Sequence, residues 1–222
     1  MILKCSKHEC RWRRRKDARP EEILDAALDL FTEKGFNSTR MIDIAKKAGI
    51  SKGTLYLYFD SKETVFEELV KTILSPMVDE AEAAISQFQG SSTELIQEFV
   101  AGWWGNIWHS KLSGIPKLIF SEAGNFPNMA TFYTDTIVKR VRGLFERIIQ
   151  QGINDKEFRD CDVRTAARLL MAPVIQATIW KHSLRPYDDE LNDQKYIEMH
   201  LQIFLRGLKQ HNDKEEKNVN KS

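Results

Sequence analysis

From Glu21 to Leu208 the apolar residues recur mostly three or four positions apart, the spacing that lines one face of an α-helix. Ile23, Ala26, Ala27, Leu30 and Phe31 form the first stripe, opened by Pro20-Glu21-Glu22 and closed by Gly35. A short helix follows from Met41 to Ala48, with Ile44 and Ala45 inward, and Gly49 breaks it. Ser51 can cap a second short helix running from Lys52 to about Phe59. Asp60 and Ser61 can cap a long helix, and Asp60 with Glu63 has capping-box spacing; the helix carries Val65, Phe66, Leu69, Val70, Ile73 and Met77, then Ala81, Ala84 and Ile85. Pro76 should kink that helix rather than end it. Beyond the break at Gly90-Ser91-Ser92, Ile96, Phe99, Val100, Trp103, Ile107 and Trp108 share a face. A short element lies between Gly114 and Pro127, and a long helix runs from Asn128 to a stop at Gly152. Another spans Asp162 to His182 with a bend at Pro173, and the last runs from about Gln194 to Lys209. The prediction is an all-α chain of about nine helices.

Composition narrows the class. The chain has 222 residues, 42% hydrophobic and 29% charged, enough apolar material for a sizeable core. It has no apolar run of about 18 residues that would cross a membrane, and no apolar leader before a cleavage site. Three scattered cysteines (Cys5, Cys10 and Cys161) make no disulfide framework, so the expected setting is the cytoplasm. Residues 1–62 hold 14 Lys/Arg against 9 Asp/Glu, and residues 63–222 hold 19 against 23. That asymmetry points to an anionic partner for the N-terminal part. Much of it comes from Arg11, Arg13, Arg14, Arg15 and Lys16. These read either as a flexible leader over residues 1–17 or as an arm for phosphates or a minor groove. Cys5, His8 and Cys10 match no standard zinc spacing, so no metal is expected. Residues 211–222 are polar apart from Val219 and are expected to be a disordered tail.

Two short helices around Gly49-Ile50-Ser51 make a helix-turn-helix pattern, whose second helix lies in the major groove of DNA. Leu55 and Phe59, four apart, can face the core. Lys52, Thr54, Tyr56 and Tyr58 are then free to project toward DNA, and Gly53 lets the backbone come close.

At this level of detail Ile23 to Val70 resembles the DNA-binding domain of the TetR/AcrR family of bacterial repressors. The matching features are Ala26-Ala27, Leu30-Phe31, Gly35-Phe36, Thr39, Ile44-Ala45, Ala48-Gly49-Ile50-Ser51, Gly53-Thr54-Leu55-Tyr56, Tyr58-Phe59 and Ser61-Lys62-Glu63, spaced without a gap. The resemblance implies a three-helix DNA-binding domain over residues 18–66 and a helical ligand-binding and dimerisation domain over 67–210. It implies phosphate contacts for Thr39 and Lys62, groove or base contacts for Lys52, Gly53, Thr54 and Tyr56, and a backbone contact for Tyr58. Ser51, at the start of the recognition helix, belongs with them. Arg40 stands where the family commonly has a second threonine, and either adds a phosphate contact or pairs with Asp43.

In the C-terminal part Trp103, Trp104, Ile107 and Trp108 lie close together on one helix. With Phe126, Met129, Phe132, Tyr133, Met171 and Trp180 they either line an aromatic cavity for a flat or apolar molecule or simply pack a core. His109, Glu122 and His182 are candidate polar contacts. The last two long helices carry broad apolar faces, as expected of helices buried against their own core and a twin subunit. No Gly-rich phosphate loop, HExxH, paired CxxC or GxSxG occurs, so no enzyme and no cofactor is expected. The reading is a homodimeric repressor released from a palindromic operator by a small apolar or aromatic effector. The subgroup it resembles often governs efflux pumps or lipid and envelope genes. The alternative is the same DNA-binding fold regulated by a protein partner.

Overall fold

A computed structural model describes residues 19–209; the basic leader with Cys5, His8 and Cys10, and the polar tail, fall outside the described residues. Nine helices and no strand occur among them: α1 (Arg19–Lys34), α2 (Met41–Lys47), α3 (Lys52–Tyr56), α4 (62–87), α5 (92–108), α6 (Ile115–Glu122), α7 (127–154), α8 (Val163–Ser183) and α9 (Asp193–Leu208). A 3₁₀ turn, Lys111–Gly114, leads into α6.

The chain reverses where its sequence permits. Gly35 takes φ +86° and closes α1 by donating its N–H to the Phe31 carbonyl at 3.1 Å. Gly49, at φ +69°, ends α2 with paired bonds: its N–H to Lys46 O and the Ile50 N–H to Ala45 O. That pairing is the Schellman arrangement, which only a left-handed residue allows without strain.

Two boundaries, the end of α3 and the stop at Gly152, differ from the sequence expectation, and two others are resolved. Helix α3 stops at Tyr56, although Leu57 stays helical in φ and ψ and the Phe59 N–H still reaches Leu55 O at 3.0 Å. Of the two expected caps of α4, Asp60 and Ser61, Ser61 forms the cap, because it is the extended residue and exchanges bonds with Thr64. Gly152 does not stop α7; it sits inside the helix under the Phe158 ring, where a β-carbon would collide. Pro76 lies within α4 just after a π-helical turn, Val70–Leu74, in which Ser75 N–H bonds Val70 O. A proline cannot donate to the carbonyl four residues back, and the wider turn sits where that ladder is interrupted. Similar turns end α5 (Trp104–Trp108) and interrupt α7 (Thr134–Val138).

Two apolar cores hold the helices. The first runs from Ile23 and Phe31 through Ile44, Leu55, Phe66 and Leu74 to Leu118, Met129 and Leu144. It thus joins the helix-turn-helix to α6 and the first half of α7. The second gathers α5, the second half of α7, α8 and α9 around Ile96, Trp104, Ile149, Leu170 and Leu201. Ile85, Phe99 and Val141 pack against both.

Candidate nucleic-acid interface

Helices α2 and α3 turn their apolar sides into the first core through Ile44, Ala45, Leu55 and Phe59. What remains outward is polar or aromatic. Ser51 Oγ accepts the Thr54 N–H at 3.0 Å and lies 2.8 Å from the Thr54 hydroxyl, so the start of α3 is fixed by its own side chains. The Lys52 ammonium rests over the Tyr56 ring, 5.6 Å from its centroid. Ser51, Lys52, Gly53, Tyr56 and Tyr58 are exposed and Thr54 is partly so. Arg40 pairs with Asp43, Nε to Oδ2 at 3.3 Å, and this contact holds the Asp43 carboxyl below its ordinary range. Asp43 also accepts the Arg40 backbone N–H, so half of the capping box survives without the threonine. Of the two roles open to Arg40, pairing with Asp43 is the one formed here.

Two expected phosphate ligands are placed differently. Thr39 is 1% exposed, and its hydroxyl lies 2.8 Å from Gly35 O and 3.2 Å from Leu30 O. Lys62 is turned inward: its ammonium donates to Phe36 O at 2.8 Å, Asn37 O at 3.1 Å and Thr39 O at 3.4 Å. It also lies over the rings of Phe36 and Phe126. The physical reason is the turn after α1, on which three carbonyls converge; Phe36 O already accepts the Thr39 N–H at 3.3 Å, and Asn37 O and Thr39 O lie beside it. A cation satisfies all three at once.

The other side of the same turn is held by an acid. Glu122, buried at the end of α6, accepts the Asn37 N–H at 3.1 Å and approaches Asn125 Nδ2 at 3.5 Å. A base from α4 and an acid from α6 therefore grip the residues that lead into α2. Sequence reading had Glu122 as an effector contact and passed over Asn37, whose contribution is a backbone amide. Outside this clamp, Lys111 pairs with Asp25 and Asp29 of α1, and Asp29 also pairs with Lys47 of α2. Asp29 is held below its ordinary pKa by these two lysines, against the opposing effect of burial.

Comparison with known proteins decides what this arrangement is. Residues 23–69 match the family described as bacterial regulatory proteins, tetR family. Over residues 23–69 the chain carries the N-terminal domain of the TetR family. The repressor KstR2 of Mycolicibacterium smegmatis is 28% identical over 195 residues, covering 87% of this chain and 92% of that protein. The fatty acid metabolism regulator of Bacillus subtilis is 25% identical over 185 residues, covering 82% and 89%. The structure of the ketosteroid transcriptional regulator KstR2 of Mycobacterium tuberculosis superposes with a TM-score of 0.65 at 27% identity, covering 87% of this chain and 96% of that one. Like these TetR-family relatives, the chain is a DNA-binding transcriptional regulator.

The residues expected to hold a TetR-family effector do not surround one cavity. Phe126, Met129, Phe132 and Tyr133 pack in the first core, and Trp103, Trp104, Trp108 and Met171 in the second. Burial pushes the Tyr133 hydroxyl up to about 12. Ile107 is buried, while Trp180 donates its indole N–H to Asp188 at 2.7 Å. Alternation of large side chains on a helix marks burial but not which neighbour covers it, so the set divided. Trp104 stacks on Trp108 with centroids 4.3 Å apart, and its own indole N–H is buried with no hydrogen-bond partner. Lys181 donates to Trp108 O and covers that ring, and His182 Nε2 lies 2.8 Å from Ser113 Oγ.

Two open grooves lie elsewhere. One of about 470 Å³ runs between α5 and α9, lined by Ala101, Leu201 and Leu205 among others. Another of about 540 Å³ lies between α8 and α9, lined by Pro173, Tyr196, Met199, His200 and Ile203. Among the described residues no group of three His, Cys, Asp or Glu could hold a metal, and no helix is long and apolar enough to cross a membrane.

Proposed function

We propose that this regulator is a homodimeric repressor released from a two-fold operator by an apolar effector, and that it governs genes of lipid or steroid metabolism. The observation that carries the reading is the clamp on residues 36–39. It fastens the motif to α4 and α6, so a change in the regulatory helices is transmitted to the DNA-facing surface by contact. DNA is met by Ser51, Lys52, Gly53, Thr54, Tyr56 and Tyr58, with Arg40 at the edge. Thr39 and Lys62 serve by positioning α2. Two chains join through α8 and α9, whose Leu169 and Ile203 stay 60% and 66% exposed in the single chain.

The names of the relatives, ketosteroid and fatty acid regulators, support an effector with a large apolar skeleton. The unpaired Trp104 N–H supports an effector that also carries an acceptor, since an unsatisfied buried donor costs about 1–3 kcal/mol. A protein effector is the second reading, favoured by the division of the aromatic residues between two packed cores. Duplexes selected from a random library by the full chain, titrated with and without fatty-acyl thioesters or steroids, test the proposal. The expected result is a loss of DNA affinity of about 5–150-fold at saturating effector, with the same factor lost from effector binding when DNA is present. Effector binding that leaves DNA affinity unchanged refutes it.

A further inference from the structure

The most exposed apolar side chain of the DNA-binding motif is Leu57, at 84%. A single exposed leucine is ordinary on a protein surface; its position on this helix is not. Successive residues of a helix are about 100° apart, and the φ and ψ of Leu57 continue α3 by one residue. Buried Leu55 and Phe59 define the inward direction. The direction opposite falls on Leu57, with Gly53 one turn below and Thr54 beside it. Tyr56 and Tyr58 lie on the two flanks of that face, and Lys52, at the start of the helix, lies nearer the inward direction. Gly53 leaves open space, since a β-carbon there would meet nothing closer than Ser51 Oγ at 3.8 Å.

We propose that Leu57 reads thymine, by packing on the C5-methyl group in the major groove. The inference rests on the DNA-binding reading of the motif and adds the base that its central residue selects. Leucine has no donor or acceptor, so it gains nothing from phosphates or from the polar edges of guanine, cytosine or adenine. The thymine methyl is the apolar feature that base edges present in the major groove. Tyr56 and Tyr58, 42% and 41% exposed on either side, can shed water from the contact and leave the methyl enclosed.

The test uses the full chain and the duplexes selected from the random library. Each thymine is replaced singly by deoxyuridine, which removes the methyl and nothing else. At one thymine in each half-site the unaltered protein should bind about fourfold more weakly, the value of one apolar carbon. Leu57→Ala should bind thymine and uracil equally at that position and keep every other preference. Leu57→Met, apolar and similarly long, should restore the discrimination. Circular dichroism and melting of both variants should match the parent, because the side chain packs on nothing. Duplex selection that succeeds, with thymine-to-uracil ratios identical in the parent and Leu57→Ala at every position, overturns the inference and leaves the regulator reading intact. Failure to enrich any duplex removes both.

Discussion

At the scale of single residues, charge and conformation were legible in the sequence and partnership was not. Gly35 and Gly49 announced their left-handed turns, because no other residue takes that conformation freely. The phosphate role of Lys62 is implied by the family resemblance, and a lysine opening a helix suits it. Nothing in the sequence indicates the three carbonyls that converge on it from 23 to 26 positions earlier. Leu57 is hidden for the opposite reason: by residue type it belongs in a core, and only its position opposite Leu55 and Phe59 sets it outward. For Glu122, replacement by alanine would leave the Asn37 N–H unsatisfied. Glu122→Ala should therefore lower unfolding free energy by about 1–3 kcal/mol in urea, and weaken DNA binding, while Glu122→Gln, which keeps an acceptor, recovers most of both. His182 gives a pH dependence. Burial first, then the charges of Lys181 and Lys117, press its pKa below the ordinary histidine value of 6.5. Protonation thus favours the unfolded chain: full stability holds above pH 6.5 and is lost as pH falls through the depressed native value. His200, also lowered by burial, adds to the slope. Urea midpoints between pH 8 and 5 should fall in the parent protein and fall less in His182→Asn.

Elements were legible where local chemistry sets them. Ser51, Ser91 and Asp162 each cap the helix they precede, through bonds to the N–H three residues on. The recognition helix came out shorter than its spacing implied, because Leu57 and Tyr58 are apolar by type yet exposed. Faces on α8 and α9 were seen as two-sided, and the single chain leaves Leu169, Met199 and Ile203 uncovered. Ile203→Asp should abolish dimerisation in analytical ultracentrifugation while helicity by circular dichroism is retained, since Ile203 is mostly exposed within the chain. A dimer of unchanged strength would place the two-fold contact on other helices.

The whole molecule was the least legible level. The sequence supplies apolar faces, but which face meets which decides whether the motif stands apart or shares a core, and here it shares one with α6 and α7. Helix α4 runs through that shared region, and its buried and half-buried positions 65, 69, 73, 77 and 81 keep a strict spacing of four. An α-turn holds 3.6 residues, so such a row would wind around a regular helix and leave the core. The wide turn at Val70–Leu74 corrects the phase, and a spacing of four sustained so long was the signal for it. The consequence is a matter of chain length. A bond that spans five residues holds one more than a bond that spans four, so α4 contains a supernumerary residue at a known place. Deleting exposed Thr72 together with Pro76→Ala should remove the bulge and leave both flanking segments in their original orientation. Deletion of Thr72 alone should cost about 3 kcal/mol more, because Pro76 would then fall inside a regular ladder. Deleting Glu80 instead should turn everything beyond it by about 100° and unseat Ile85 from both cores. Thermal melts of the three proteins rank the outcomes, and they mark residues 70–74 as the stretch of α4 where an insertion or deletion can survive without changing how the DNA-binding end is aimed.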